Sequence, residues 1–227
     1  RGQLLMQFVH VPMPTEIPYI SPRYVNGSRL YDTPDGNFPS ITYALSKLPR
    51  LNSGIQQWIK KVGKEFASFE SKRCLQRGLE FHSMVQLYLE NKPSPSGFGV
   101  LPKSLFDNAK AAIDDINFIH GVELPLWSKA LGVAGTCDCI ANYKNTLSII
   151  DFKSATRAKR KEWLKSYFLQ ETAYSLMYEE RTGISINSLV TLVSAEDGEV
   201  QVFLESRDNF VDELHDCMRE FRQKVVA

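Results

Sequence analysis

The sequence has no long apolar run, few cysteines and almost no net charge. None of its hydrophobic stretches reaches the ~20 residues that a membrane-spanning helix needs, so we expect a soluble protein with no membrane partner. The four cysteines, Cys74, Cys137, Cys139 and Cys217, fit neither a paired CxxC zinc motif nor a dense disulfide framework. We interpret them as free buried thiols, with Cys137 and Cys139 on one face of a strand.

The net charge of +1 gives no global indication of a nucleic-acid partner, although Lys and Arg can still be concentrated locally. Internal repeats and low-complexity tracts are absent as well. With 227 residues, 43% of them hydrophobic, the chain is long enough for one sizeable folded domain. The chain begins at Arg1, so we expect any targeting peptide to lie upstream of it.

Hydrophobic periodicity divides the chain into a helical first half and a mixed second half. The first half predicts a short helix capped by Ser40, a long helical region over about 54–90 with a break near Ser68, and a helix over about 101–119. In the second half we expect five strands and two helices, in the order strand, strand, strand, helix, strand, strand, helix; their ranges are 122–130, 133–143, 146–154, 157–183, 186–195, 199–206 and 208–226. This order predicts one α/β domain with a mixed central sheet, and the preceding helices could form a cap or arch.

The strongest chemical signal lies on two strands that a tight hairpin joins. Asp138 is on the first strand, and Asp151 and Lys153 follow on the second. Two carboxylates on adjacent strands repel each other unless a cation binds both, and carboxylate oxygens are ligands that Mg²⁺ prefers. Asp151 and Lys153 are two residues apart on a strand, so both side chains project from one face. The pattern predicts a metal–phosphate site, in which the Lys153 ammonium orients water or offsets charge on phosphorus.

An Asp-x-Lys triplet alone is common in unrelated proteins, so its context decides the interpretation. The triplet follows the apolar residues Leu147, Ile149 and Ile150, and a hairpin strand with a second aspartate precedes it. Phe152 should point to the opposite face, into the core, while its backbone carbonyl can face the metal.

A wider set of motifs surrounds this triplet in a fixed order. The set comprises Gly78-Leu-Glu-Phe-His82, Glu123, Gly135-Thr-Cys-Asp138, Asp151-Phe-Lys153 and Gln170-Glu-Thr-Ala-Tyr174. It resembles the RecB-like branch of the PD-(D/E)xK nuclease superfamily, and within that branch it is most similar to mitochondrial exonucleases. The similarity extends from about residue 38, at Phe38-Pro-Ser-Ile-Thr42, to the end of the chain.

The resemblance implies a fold and a division of the chain. We expect a restriction-endonuclease-like core with a mixed central sheet flanked by helices, plus an N-terminal helical cap or arch. Residues 1–37 would be an N-terminal extension, and residues 38–227 a single nuclease domain. Within that domain we expect the arch over about 40–120, the core sheet over about 121–206 and the C-terminal helix over 208–226.

The resemblance also implies roles for individual residues. It makes His82, Asp138, Asp151 and the carbonyl of Phe152 metal ligands for Mg²⁺ or Mn²⁺, with Lys153 as the fourth catalytic side chain. Glu123 would be an outer-shell or second-metal ligand. Substrate contacts would come from the following side chains: Ser40, Thr42, Ser154, Gln170 and Tyr174. Without the resemblance, we would interpret His82 as a packed core histidine. Gln170 and Tyr174 would then be ordinary packing residues of a helix.

Basic and aromatic residues near these motifs leave two interpretations open. The run that contains Lys159, Arg160 and Lys161 is either a solvated helix face or an electrostatic track for a phosphate backbone. Trp58 and Phe66 in the long helical region either pack in the core, which we favour, or stack on unpaired bases.

The resemblance implies a single-stranded DNA exonuclease that processes flaps or ends in mitochondrial DNA maintenance, and we expect a monomer. The alternatives are a related endonuclease and a DNA-binding module with an inactive site. Some RecB-like nucleases hold an iron–sulfur cluster through one cysteine before the helical histidine and three after the last motif. Here only Cys74 and Cys217 occupy such places, which is too few for four thiolate ligands, so we expect no cluster.

Overall fold

A computed structural model describes residues 7–25, 27–93 and 97–226 of the chain. Its helices are α1 (Ile41–Ser46), α2 (Pro49–Val62), α3 (Lys64–Leu89), α4 (Val100–Ile113), α5 (Lys165–Thr182) and α6 (Val211–Val226). Its strands are β1 (Pro22–Val25), β2 (Ser28–Thr33), β3 (Gly36–Pro39), β4 (Ile116–Ser128), β5 (Val133–Tyr143), β6 (Thr146–Ala155), β7 (Ser188–Ala195) and β8 (Val200–Ser206). No helix within the described ranges has both the length and the apolar character to cross a membrane.

The central sheet has five strands in the order β4-β5-β6-β7-β8. Its neighbours are antiparallel except β6 and β7, which run parallel because α5 crosses between them. A crossover of this kind is what a parallel strand pair requires. The predicted α/β class, with a mixed central sheet flanked by helices, is confirmed, and the arrangement is consistent with a restriction-endonuclease-like core.

Helices cover both faces of this sheet and produce two hydrophobic clusters. One cluster packs α1, α5 and α6 against the sheet through residues such as Leu169 and Met218. The other packs α3 and α4 through residues such as Phe81 and Leu105. Because both faces are covered, β6 and β7 are buried along most of their length, as parallel strands usually are.

The N-terminal region forms a second, three-stranded antiparallel sheet, β1-β2-β3, that sequence periodicity did not predict. Tyr31 from this sheet is fully buried in a small cluster with Trp127 and Ala134 of the central sheet. Further upstream, Phe8 is buried against the α3–α4 side, and Val11 donates a hydrogen bond to the Ile119 carbonyl at 2.9 Å. The described part of residues 1–37 therefore packs on the core and covers the edge of β4.

Three predicted element boundaries are wrong. The long helical region breaks at Gly63, whose φ of 87° no other residue type adopts readily, and not near Ser68. Residues 116–119 begin β4 and do not continue a helix. The basic run before α5 is irregular apart from a short 3-10 turn, Lys161–Trp163, so it is not a helix face.

The helix α2 has an apolar face that the core does not cover. Among the residues that the structure describes, no side chain of α2 is buried, and Trp58 is 38% exposed. Phe66, on the first turns of α3, is 53% exposed. The favoured prediction of core burial for these two aromatics is therefore wrong, and the α2–α3 region carries exposed aromatic surface.

Candidate functional site

The site forms where two neighbouring strands of the central sheet separate. Pairing between β5 and β6 ends at Cys139–Ile150, although β5 continues along β4 and β6 continues along β7. Beyond that point the Phe152 amide has no partner strand on the β5 side. It donates instead to Oδ2 of Asp138 at 2.9 Å. The opening in the sheet thus holds the Asp138 carboxylate between the two strands.

A second irregularity lies on β4 beside this opening. Glu123 has a φ of 49°, in the left-handed region that is unfavourable for a residue with a side chain. It stands between the paired residues Val122–Cys139 and Leu124–Cys137, opposite Asp138. Non-glycine residues held at such a φ cost about 1–3 kcal/mol and cluster at functional sites.

The same irregularity corrects the prediction for the two cysteines that flank Asp138. Cys137 packs in the cluster with α5, whereas Cys139 packs in the cluster with α3 and α4. The two thiols therefore lie on opposite faces of the sheet, so the strand alternation is interrupted between Cys137 and Cys139. Both are buried and free, as is Cys217, while Cys74 is only partly buried.

His82 reaches the opening from α3. Its Nδ1 lies 3.5 Å from Oδ2 of Asp138. One ligand atom each of His82, Glu123 and Asp138 lie within 4.8 Å of one another. The helix, the strained position on β4 and the open end of β5 therefore bring together three of the residues that the sequence motifs singled out.

Asp151 and Lys153 face the other neighbouring element, the helix α5. Asp151 is 1% exposed, and its Oδ2 is in ion-pair contact with the Lys153 ammonium. Its Oδ1 lies 3.4 Å from the Gln170 amide nitrogen, which donates to it. The Lys153 ammonium also lies 4.9 Å from the centre of the Tyr167 ring. The predicted shared face for Asp151 and Lys153 is present, and Phe152 is buried on the opposite face.

Tyr174 lies under Gly135, the glycine of the motif that ends in Asp138. A Cβ at Gly135 would come 2.7 Å from the Tyr174 ring, a distance that real contacts do not show. The Tyr174 hydroxyl in turn lies 3.4 Å from the Gln170 side-chain nitrogen. The glycine is required because it leaves room for this tyrosine, which supports the glutamine that contacts Asp151.

The electrostatics of the site are dominated by buried negative charge. Burial, together with Asp138, raises the pKa of Glu123 to about 7. Burial also raises the pKa of Asp151, although Lys153 opposes the shift. Glu171 on α5 is fully buried, and burial followed by the nearby Asp151 charge raises its pKa well above the usual range. A site with this much carboxylate and one ammonium lacks positive charge.

The environment of His82 favours the neutral form of its imidazole. Burial lowers the pKa of His82, and the charge of Lys153 acts in the same direction, against Asp138 and the Phe152 backbone. A neutral imidazole has a free nitrogen lone pair, which is the form that binds a metal ion.

A divalent cation fits this donor set. An imidazole nitrogen and several carboxylate oxygens suit Mn²⁺, and the carboxylates suit Mg²⁺. Oδ2 of Asp151 is buried, and its partner among the described residues is the Lys153 ammonium. Cation binding would offset the repulsion that raises the carboxylate pKa values.

Ser154 has a structural partner that the sequence motifs did not reveal. Arg77, on α3 and 5% exposed, donates from Nε to the Ser154 hydroxyl at 3.2 Å and from Nη2 to the Ser154 carbonyl at 3.2 Å. The same guanidinium pairs with Glu196. Because Ser154 accepts from Arg77, its own hydroxyl proton remains available to donate.

The other predicted substrate contacts are more peripheral. Ser40 caps α1 by accepting from the Tyr43 amide, as predicted, and its hydroxyl lies 3.1 Å from that of Thr42. Lys159 is tied to the sheet edge by its backbone, whose amide donates to the Gln201 side chain at 2.7 Å. Arg160 lies over the Trp163 ring, and Lys161 pairs with Glu205.

Motif reasoning did not single out Tyr167 and Arg77. Tyr167 lies one helical turn before Gln170, so the i, i+3 spacing on α5 was the available signal. Arg77 directly precedes Gly78 of the histidine motif, but its partners Ser154 and Glu196 lie 77 and 119 positions later in sequence, so no local pattern could have found them.

The fold brings carboxylates, a histidine and a lysine together into one centre. No protein-family model matches the chain. The chain is similar to two curated proteins, both named mitochondrial genome maintenance exonuclease 1. The Mus musculus protein is 24% identical over 131 residues, which cover 54% of this chain and 38% of that protein. The Xenopus tropicalis protein is 23% identical over 180 residues, covering 72% of this chain and 50% of that protein. The matched segments thus span half or less of these relatives.

A solved structure from Eubacterium rectale, of a protein that carries a provisional exonuclease name, also resembles the chain. It superposes with a TM-score of 0.46 and 13% identity over 66% of each chain.

Proposed function

We propose that this protein is a nuclease that hydrolyses phosphodiester bonds of single-stranded DNA from an end, with Mg²⁺ or Mn²⁺ as cofactor. The observation that carries the proposal is the group of His82, Glu123 and Asp138, with ligand atoms within 4.8 Å, beside the buried pair Asp151–Lys153. The names of the two curated relatives agree with it.

In this proposal His82, Asp138 and Asp151, with the Phe152 carbonyl, hold the cation, and Glu123 completes or extends its shell. A bound divalent cation lowers the pKa of a water ligand and polarises a phosphate oxygen. Lys153 holds the attacking water or the developing charge on the phosphate through its ammonium, which Asp151 and the Tyr167 ring keep in place.

Gln170 and Tyr174 keep the Asp151 carboxylate in one orientation. Ser154, fixed by Arg77, donates its hydroxyl proton to a phosphate oxygen of the substrate. Ser40 and Thr42 are proposed to contact the strand next to the site.

The preference for a single strand is supported by the exposed aromatics of the α2–α3 region. Trp58, Phe66 and Phe69 are 38%, 53% and 65% exposed. Aromatic side chains stack on unpaired bases whatever the DNA sequence. Lys60, Lys61 and Lys64 in the same region would attract the phosphate backbone of the DNA. We propose the same electrostatic role for Lys159, Arg160 and Lys161 before α5.

From the names of the relatives we further propose a mitochondrial protein that processes flaps or ends in DNA maintenance, and we expect it to act as a monomer. A fluorescent fusion of the full gene product tests the location, with accumulation outside mitochondria as the contrary result. Size-exclusion chromatography with light scattering tests the monomer.

The test of activity uses end-labelled linear single-stranded DNA and a covalently closed single-stranded circle. With Mg²⁺ or Mn²⁺ we expect the linear strand to be degraded and the circle to remain intact. Cleavage of the circle would show an endonuclease instead. Binding without cleavage would show a DNA-binding module with an inactive site.

Two variants assign the activity to the site. Asp151→Asn should abolish degradation. Asp107→Asn is the matched control, because Asp107 is exposed on α4 and its ion-pair partner among the described residues is Lys103 on the same helix, at 2.8 Å. Equal activity of Asp151→Asn and the parent would refute the proposed site.

A further inference from the structure

The N-terminal sheet carries an arginine whose partners are incomplete. Arg29 lies on β2, and its guanidinium carbon is 5.2 Å from the centre of the Tyr31 ring. Its Nε is buried, and no acceptor for it is present among the residues that the structure describes. A buried donor without an acceptor is unfavourable by about 1–3 kcal/mol. Nor does Arg29 form an ion pair with any carboxylate of the described ranges.

Three contacts hold this arginine beside the strand that leads to Asp138. The Arg29 carbonyl accepts from the Ser40 amide at 2.9 Å, and Ser40 forms a bridge with Ala134 on β5. The Tyr31 hydroxyl lies 3.2 Å from the Thr136 hydroxyl, two residues before Asp138. Tyr31 is fully buried, so it fixes the strand that carries Arg29. The position of Arg29 relative to the site is thus set by packed contacts.

Arg29 and Tyr31 are two residues apart on β2, so their side chains lie on one face of that strand. The Arg29 guanidinium lies beside the Tyr31 ring, and the Tyr31 hydroxyl contacts Thr136 of the strand that carries Asp138. Among the described residues the guanidinium is not held in an ion pair with a carboxylate. Such a cation can accept an anionic ligand without first losing a protein partner.

We infer that Arg29 is a phosphate-binding residue of this site, which takes a backbone phosphate of the single-stranded DNA through its terminal nitrogens. Guanidinium groups bind phosphate oxygens with two parallel hydrogen bonds. The inference rests on the proposed function for its substrate. It gives the N-terminal sheet a role in binding, in addition to covering the core.

The experiment measures binding apart from cleavage. A fluorescein-labelled oligothymidylate is titrated with protein in EDTA, and anisotropy gives the dissociation constant at several salt concentrations. The variants are Arg29→Gln and Arg29→Lys. The matched control is Arg23→Gln, on the neighbouring strand β1, whose arginine is exposed and pairs with Asp32 at 2.9 Å.

For Arg29→Gln we expect affinity to fall about tenfold at low salt, the loss of one charge-assisted contact. The slope of log affinity against log salt should decrease by about 0.7, the value for one phosphate contact of a single strand. Arg29→Lys should keep the salt slope and lose only part of the affinity. Lysine retains the positive charge but cannot donate the two parallel hydrogen bonds of a guanidinium. Arg23→Gln should match the parent in both quantities.

An unchanged salt slope in Arg29→Gln would overturn the inference, because Arg29 would then act only as a counter-charge to Glu123. Circular dichroism and melting of each variant show whether it is folded, and Arg29→Lys carries the test if Arg29→Gln is not. Failure of the proposed function is a separate result: the parent protein would bind the oligothymidylate and degrade nothing with Mg²⁺, while the effect of Arg29 on binding would still be measured.

Discussion

Two clusters of charged side chains flank the strand β6, and the helix α3 contributes to both. At one, Arg77 and Arg73 contact Glu196, Arg73 also pairs with Glu70, and Arg77 binds both polar atoms of Ser154. At the other, one turn further along α3, His82 meets the carboxylates around Asp138. The first cluster has a partner for each of its charges, whereas the second has more carboxylates than cations.

This difference in charge balance suggests different roles for the two clusters. The paired charges of the arginine cluster stabilise the fold, whereas the excess carboxylates of the second cluster are available for function. In the arginine cluster the hydrogen bonds from Arg73 and Arg77 overcome the effect of burial and lower the pKa of Glu196. In the carboxylate cluster burial raises the pKa of Glu123 to about 7 and also raises that of Asp151. A folded protein retains such unfavourable repulsion where a ligand relieves it. The four predictions below test this contrast.

The largest effect is expected for Asp151→Asn in the carboxylate cluster. It removes a proposed metal ligand, so turnover should fall at least about a thousandfold, since metal charge stabilisation contributes several kcal/mol. The melting temperature should change little, because the repulsion between Asp151 and Asp138 is lost together with the ion pair to Lys153. Turnover of labelled DNA and thermal unfolding measure the two effects. A variant that loses stability but keeps its turnover would contradict the contrast.

Glu196→Gln in the arginine cluster should give the opposite result. The Arg77 guanidinium, 5% exposed, would lose its main counter-ion, so the free energy of unfolding should fall by about 2–4 kcal/mol. The effect on turnover should be far smaller than that of Asp151→Asn. Urea denaturation measures the change, with the surface-pair variant Asp107→Asn as control, where we expect less than about 1 kcal/mol.

The same variant has a pH signature. Because the pKa of Glu196 is lowered in the folded state, its stabilisation is complete above the unfolded glutamate pKa of about 4.3 and is lost as the pH falls through the folded value. The stability gap between parent and Glu196→Gln should therefore narrow on acidification below about pH 4.3. A gap that widens there would contradict the assignment.

A third, intermediate effect is expected at the glycine beside Tyr174. Gly135→Ala places a methyl group 2.7 Å from the Tyr174 ring, which must move. We expect a loss of about 1–3 kcal/mol of stability together with reduced turnover, because Tyr174 supports Gln170. Gly78→Ala is the control. Gly78 lies within the helix α3, and a Cβ there would be 3.6 Å from the Ser154 hydroxyl, an ordinary van der Waals distance. Equal unfolding free energies for the two variants would refute the steric explanation.

The smallest effect is expected at Tyr167. Tyr167→Leu removes the ring next to the Lys153 ammonium, and turnover should fall by about fivefold, as the loss of a cation–π contact of about 1 kcal/mol implies. Tyr167→Phe keeps the ring and should restore most of the turnover while the KM for DNA stays constant. If Tyr167→Phe is as slow as Tyr167→Leu, the hydroxyl and not the ring is what matters.

Much of this arrangement could be predicted from local sequence. The strands β5 and β6, the turn at Lys144 and Asn145 between them, and the shared face of Asp151 and Lys153 follow from strand periodicity and turn signals, and the structure has all of them. Gly183 ends α5 in the left-handed conformation, as its position predicted.

The rest depends on contacts between distant segments. Glu123 on the neighbouring strand is left-handed, and the strand alternation is interrupted between Cys137 and Cys139. Periodicity therefore assigned these two cysteines to one face, whereas they lie on two. The first sheet consists of strands of six residues or fewer with little buried surface, which leaves almost no periodic signal. Arg29 therefore could not be connected with the site before its strand was placed on β5.

If the carboxylate cluster is a cation site, isothermal titration of Mn²⁺ into the protein will detect it. We expect saturable binding to the parent protein, loss of that binding in Asp138→Asn, and unchanged binding in Asp107→Asn. No saturable binding by the folded parent, or equal binding by the parent and Asp138→Asn, would contradict it.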